Sequence, residues 1–365
     1  MTALGLIAFK RLEGVPTYQP GKAILGPATG KLSANESVLG PGPLVRRAIA
    51  DAADGVGGYP DEARLRRRLA QAIAVEESNI LLSNGSDEIC FLAATVFLGP
   101  GRTSVVGDPC YAIDATVTKI SGAELIRIPL IEGGHDLKAM AAAAVLSQVV
   151  WLPSPHNPTG VAVPPAELDA FLERVPETCL VILDEAYRDF ADQDMQPDTN
   201  RLLERFPNLL IQRTLSKSWS MAGLRLGYAL GAPDVVSALG RVRAPFSVNA
   251  VALAAGLAAL DEPAWQEMTV ARIREGRTAL EEAFTRLGVE YYPSQTNFVT
   301  AKVPHDLVAP TLASLGISVR AGEDLGMPGW TRFTIGWAPT MTALCDALRD
   351  VLYPRPSSQP REQVP

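Results

Sequence analysis

Cysteine, histidine and positive charge are all in short supply in this 365-residue chain, and each shortage closes off a class of function. The four cysteines, Cys90, Cys110, Cys179 and Cys345, show no CxxC spacing, which argues against a zinc ribbon or a disulfide framework and for a reducing cytoplasm. His135, His156 and His305 lack metal-ligand spacing, so no metal site is expected. Lysine and arginine number 33 against 40 acidic residues, and the net charge of −7 argues against nucleic acid or an anionic membrane as an obligate partner. Long apolar runs are missing too. The stretches 140–146 and 251–260 are too short and too alanine-rich to cross a bilayer and read as buried helices. Residues 3–9 are apolar but are followed, not preceded, by the basic pair Lys10-Arg11, and no small-residue cleavage site is evident, so no signal peptide is expected.

What is present is the composition of a globular protein, 47% hydrophobic and 20% charged, at a length that fits two domains or one large α/β domain with an appendage. From residue 80 to 230 one theme recurs: a short β-rich apolar run, a polar or glycine-containing loop, then a segment of helical length. The runs are 80–82, 103–106, 125–128, 149–152, 180–183, 209–212 and 226–230. They are continuous rather than alternating, which predicts strands covered on both faces in a mostly parallel sheet. Such sheets bind ligands beyond the carboxyl ends of their strands. Five of the runs are followed by polar groups: SNGSDE from Ser83, DPCY from Asp108, PHNPTG from Pro155, DEAY from Asp184, and Ser216-Lys217. A single shared site is predicted there.

The residue types in these loops suit one chemistry. In TLSKSWSMAGLRLGY, 214–228, a lysine amine at Lys217 can form a Schiff base with an aldehyde, and the Arg225 guanidinium can hold a phosphate with two parallel charge-assisted hydrogen bonds. Small residues between them let backbone and hydroxyl groups approach an anion. In SNGSDE, Gly85 permits a tight turn and Ser86 can cap the following helix, whose N-terminus attracts negative charge. Asp184 closes a buried run and needs a cationic partner to offset desolvation. Tyr187 and Asn157 can hydrogen-bond a phenolic oxygen, Tyr111 can stack on a ring, and Arg332 and Arg320 can bind a substrate anion. Each has a plainer use as well: a helix cap at Ser86, a strand-end cap or salt bridge at Asp184, a turn at Asn157, core packing for the tyrosines, surface charge for the arginines.

Taken in order, LSANES, GYPDEA, SNGSDEI, DPCYAID, SPHNPTG, VILDEAYRDF, TLSKSWSMAGLRLGYALG, PSQTNFV and RFTIG resemble the fold-type I aminotransferases of class I/II, which use pyridoxal 5'-phosphate (PLP). Within them the set is most similar to the histidinol-phosphate aminotransferase branch, over about residues 18–336. The resemblance implies an α/β fold: a large domain with a mostly parallel seven-stranded sheet flanked by helices, plus a smaller α+β domain. Composition and pattern set apart a proline- and glycine-rich N-terminal arm, 1–43, from the large PLP-binding domain at 44–261, a smaller domain mixing helical and strand patterns at 262–353, and a tail at 354–365, nearly without apolar residues, that is expected to be disordered.

By the same resemblance, Lys217 carries the cofactor as a Schiff base, Asp184 pairs with the pyridine nitrogen, and Asn157 and Tyr187 bind the phenolic oxygen. Ser86, Asp87, Ser216 and Arg225 match phosphate-binding positions, and Tyr111 the ring-stacking position. Tyr59 matches a tyrosine that reaches the phosphate of the neighbouring subunit, which implies a homodimer with shared active sites. Arg332 matches the arginine that binds the substrate anion, and Tyr18 and Arg320 lie close to substrate. The implied function is amino transfer between an amino donor, histidinol phosphate or an aromatic or related amino acid, and a 2-oxo acid such as 2-oxoglutarate, in cytoplasmic amino-acid biosynthesis. A PLP-dependent decarboxylase on the same scaffold is the alternative. The chain departs from the family pattern at His156, at LSANES without its usual Asn-Pro continuation, at Trp219 and Trp337, and at GWAPTM, all of which could reshape the substrate pocket.

Overall fold

The computed structural model describes residues 12, 15, 30–37 and 39–354, so the expected tail beyond residue 354 and most of the N-terminal arm lie outside the described residues. All seven apolar runs are strands: β1 (Ile80–Ser83), β2 (Thr103–Asp108), β3 (Glu124–Pro129), β4 (Val149–Pro153), β5 (Leu180–Asp184), β6 (Leu209–Thr214) and β7 (Gly227–Gly231). They form one sheet in the order β1-β7-β6-β5-β4-β2-β3. β7 is antiparallel to both neighbours and the other pairings are parallel. In the central strands β4 and β5 both faces are apolar. Val149 and Trp151 join a core with Ile182 and Leu210 on one side, while Val150 and Leu152 join Leu183 and Ile211 on the other. Helices cover both layers. Ser86–Phe97 and Ala112–Ser121 lie over the first, and Ala63–Ile73 and Ala250–Leu260 over the second. The expected alanine-rich helices are present at Leu137–Ala144 and Ala250–Leu260, although Leu146 itself is exposed beyond the end of the first.

A second, three-stranded antiparallel sheet follows, with β8 (Phe298–Ala301), β9 (Arg320–Ala321) and β10 (Thr331–Thr334) in the order β8-β10-β9. The helices Pro263–Arg286, His305–Ser314 and Ala338–Leu352 enclose its core around Phe284, Phe298, Phe333 and Leu344. Leu32 belongs to this core as well. Its amide donates to Ser318 O at 2.7 Å and its carbonyl accepts from Thr334 N at 3.0 Å, so the LSANES segment is threaded into the smaller sheet. Tyr187 and Phe190, just after β5, pack into the same cluster. The carboxyl edge of the large sheet therefore faces the smaller sheet across these residues.

The reversal of β7 is what brings Arg225 to that edge. Gly227 pairs with Ser83 at the end of β1 and with Thr214 at the end of β6, so the residues preceding β7 sit beside both carboxyl ends. A Cβ at Gly227 would lie 2.7 Å from Ser86 N, 2.8 Å from Gly85 C and 2.9 Å from Arg213 O, all backbone. Neither side can yield. Gly227→Ala is expected to destabilise the protein by about 1–3 kcal/mol in denaturant unfolding, because the SNGSDE loop must shift.

Candidate active site

Lys217 follows β6 in a loop held by Leu215 N donating to Leu226 O at 2.9 Å. Its Nζ donates to the backbone oxygen of Asn35 at 3.2 Å and lies 5.6 Å from the centroid of the Tyr187 ring. Asn35, in LSANES, is 2% exposed and has φ +54, a left-handed conformation that asparagine tolerates better than most residues. Its Nδ2 donates to Tyr187 Oη at 2.9 Å, its Oδ1 accepts from Thr334 Oγ1 at 3.0 Å, and its carbonyl also accepts from Asn297 Nδ2 at 3.0 Å. Sequence reasoning quoted both asparagines' motifs but gave neither residue a role. Their signal was weak: a polar residue in a loop says nothing of its partners until the two sheets are packed together.

Asp184 ends β5, and one of its oxygens accepts from Ala186 N at 2.9 Å. Burial pushes this carboxyl up to about 6, against the pull of the Gln212 amide, the Ala186 N–H and the Lys217 charge. Asn157 meets the small sheet. Its Oδ1 accepts from Arg332 Nη1 at 2.6 Å, while Arg332 Nη2 donates to Ser33 O at 3.1 Å and the guanidinium lies 5.1 Å from the Phe298 ring centroid. Arg320 stands directly opposite Arg332 across the β9–β10 pair, its Nε 3.4 Å from Asp324 Oδ2. Two guanidinium groups thus sit on the same face of the smaller sheet, two residues along β10 from Thr334, whose hydroxyl donates to the Asn35 side chain.

At the other end, Arg225 takes φ +56 and aims its guanidinium at the N-terminus of the helix Ser86–Phe97. It donates to Ser216 Oγ at 3.4 Å and to Asp87 Oδ2 at 3.4 Å, and Asp87 Oδ1 accepts from Tyr111 Oη at 3.1 Å. Ser86, expected as the helix cap, is instead the first helical residue: Gly85 takes the cap position at φ +76, with no side chain to do the capping. The reason is steric. A Cβ on Gly85 would fall 2.4 Å from Arg225 Nη2, so only glycine lets the guanidinium close on the helix N-terminus. Cation, helix dipole and two hydroxyls brought together there suit a phosphate.

Ser86, Asp87, Tyr111, Asn157, Asp184, Tyr187, Ser216, Lys217, Arg225 and Arg332 therefore line one edge, with Arg320 beside them. Tyr59 does not join them within the chain. It is 83% exposed and stacks on Phe246 at 4.4 Å. Tyr18 lies outside the described residues. His156 is fully buried under its loop, with Nδ1 2.9 Å from Thr159 Oγ1, and burial followed by the neighbouring His135 keeps it well below the ordinary histidine range. Trp219 packs against the large core and Trp337 is half-exposed. Among the described residues no group of three or more potential ligands is placed to hold a metal, and no helix is long and apolar enough to cross a membrane.

The description "Aminotransferase class I and II" fits residues 30–348 of the chain as a family model. The chain belongs to this family. It is a PLP-dependent aminotransferase of fold type I, and the cradle, the lysine and the strand-end carboxylate described above fit that cofactor. It is 38% identical over 356 residues to histidinol-phosphate aminotransferase 1 of Dechloromonas aromatica (strain RCB), covering 94% of this chain and 98% of that protein. It is 42% identical over 327 residues to histidinol-phosphate aminotransferase of Symbiobacterium thermophilum, covering 88% and 90%. The crystal structure of histidinol-phosphate aminotransferase from Sinorhizobium meliloti in complex with pyridoxal-5'-phosphate superposes with a TM-score of 0.86 at 26% identity, over 96% of this chain and 99% of that one. L-threonine-O-3-phosphate decarboxylase from Porphyromonas gingivalis shares the fold, at a TM-score of 0.79 and 22% identity over 88% and 99% of the two chains.

Proposed function

We propose that this aminotransferase takes its amino group from histidinol phosphate or a related amino donor and passes it to a 2-oxo acid such as 2-oxoglutarate. The observation that carries the reading is the position of Lys217 Nζ, tied to Asn35 O and near enough to the strand-end Asp184 for its charge to act on that carboxyl. Bound there, PLP supplies an electron sink that acidifies the hydrogen on the carbon bearing the amino group. Lys217 anchors the cofactor and carries a proton between two carbon atoms. Asp184 would face the ring nitrogen, Asn157 and Tyr187 would hold the phenolic oxygen, and Tyr111 would stack on the ring. Ser86, Asp87, Ser216 and Arg225 would hold the phosphate. Arg332 and Arg320 receive the anionic end of each substrate in turn, and Tyr18 lies near them.

The same reading takes 44–261 as the cofactor-holding domain, 262–353 as the smaller one and 1–43 as the arm. It also takes the exposed Tyr59 to a second copy of the chain, in a cytoplasmic homodimer with shared active sites. The direct test is the visible absorbance of the protein loaded with PLP. Bleaching by glutamate, or by histidinol phosphate, is expected. A band that persists with every donor, together with carbon dioxide release independent of any oxo acid, would replace amino transfer with decarboxylation.

Arg332 yields a further prediction. Arg332→Ala is expected to raise KM for an anionic substrate about 10- to 100-fold, from the loss of a charge-assisted bidentate contact. A smaller drop in kcat should accompany it, since Asn157 loses its 2.6 Å partner. Arg332→Lys should not restore KM, because a point charge cannot reproduce the planar fork. Steady-state kinetics with both substrates checks this.

A further inference from the structure

Asp184 has a neighbour in the sheet to which the reaction above gives no part. β5 and β6 run parallel with Asp184 paired to Gln212, so their side chains emerge side by side on one face. That face carries Ile182 and Leu210 and is covered by the helix Ser86–Phe97. Gln212 is 1% exposed, and an amide in so apolar a layer is costly unless both of its ends are used. The Cys90 thiol donates to Gln212 Oε1 at 3.5 Å. With its oxygen engaged by a donor, the amide turns its nitrogen towards the acceptor beside it, which is the Asp184 carboxylate. We propose that Gln212, clamped by Cys90, is a positioning residue that fixes the orientation and the negative charge of Asp184. The inference rests on the reading of Asp184 as partner of the cofactor ring nitrogen.

The surroundings show why such a residue is needed. Burial raises Asp184, and Asp87 on the neighbouring helix raises it further, while the Gln212 amide, the Ala186 N–H and Lys217 pull it down. Asp114, on the helix Ala112–Ser121, also faces it and is itself held well above the usual carboxyl range by burial, then by Asp184 and Asp87. Cys90 is kept a protonated thiol, and hence a donor, by burial and then by the charges of Asp114, Asp184 and Asp87. So acidic a pocket favours a protonated Asp184. An amide donor opposes this without adding a charge that would itself have to be buried.

The test uses protein without cofactor, labelled with ¹³C at the aspartate carboxyl carbon, the Asp184 resonance being identified by its loss in Asp184→Asn. The Asp184 midpoint is expected to rise by about one pH unit in Gln212→Leu, the equivalent of one hydrogen bond to a charged group. In Cys90→Ala, which keeps the amide but frees it, a smaller rise is expected. The acid limb of kcat/KM in the loaded enzyme should move up with the midpoint. An unmoved midpoint in Gln212→Leu overturns the proposal, and should that variant fail to fold, an unmoved midpoint in Cys90→Ala does so. Failure of this titration leaves the reading of the function standing, whereas undiminished turnover by Asp184→Asn strikes that reading itself.

Discussion

Lys217→Ala is expected to abolish turnover, by about 10⁴-fold or more, in a protein that stays folded. In the proposed function two roles disappear at once, the anchoring of the cofactor and the carrying of a proton between carbons, and the effects of groups that act as one unit are not separable. The structural cost is small by comparison. Asn35 O loses the 3.2 Å contact from Nζ but keeps the 3.0 Å hydrogen bond from Asn297 Nδ2, so no buried acceptor is stranded. A stability change within about 1 kcal/mol is therefore expected. Steady-state rates beside a denaturant melt separate the two effects. A large fall in stability would assign the lost activity to misfolding, and retained turnover would remove Lys217 from the chemistry.

The fold was legible where burial alone decided structure. The run 149–152 became β4, Val149–Pro153, because a strand covered on both faces leaves no polar position to misread. The direction of β7 was not stated by its apolar run, since a continuous run carries no arrow. The connection bears on it: between β6 and β7 the one regular element is the three-residue 3₁₀ helix Ala222–Leu224, where a parallel crossover usually carries a full α-helix. At the site, Asp184, Lys217 and Arg225 were readable because each is an ionisable residue at the end of a buried run or beside one. The pairing of Arg332 with Asn157 was hidden, because it depends on how the smaller sheet packs on the larger one. Gln212 stood in plain view at the end of LLIQ. A polar residue in a fully buried run requires partners; the Cys90 thiol is one, at 3.5 Å, and the strand-end carboxylate of Asp184 stands beside it in register.

Asp184→Asn is expected to cut turnover about 10³-fold while making the cofactor-free protein more stable at neutral pH. The loss of rate follows, in the proposed function, from replacing the carboxylate assigned to keep the ring nitrogen protonated with a neutral amide. The gain in stability follows from linkage. In the folded chain without cofactor this carboxyl is raised to about 6 from an ordinary 3.8, so between those values the folded state binds more protons than the unfolded state. Stability from this group is then fully present below pH 4 and is lost as pH rises through 6, a loss of order 3 kcal/mol at neutrality. Asparagine has no charge to desolvate and avoids that loss. It recovers only about 1–2 kcal/mol, because one end can still accept from Ala186 N while the other sets a donor against the Gln212 amide. Denaturant unfolding of both cofactor-free proteins at pH 4.5 and pH 7.5 measures this: the variant's advantage should be larger at the higher pH. Equal stabilities at both values would mean that Asp184 is ionised without penalty, and the pocket would then have no store of unfavourable charge for the cofactor to relieve.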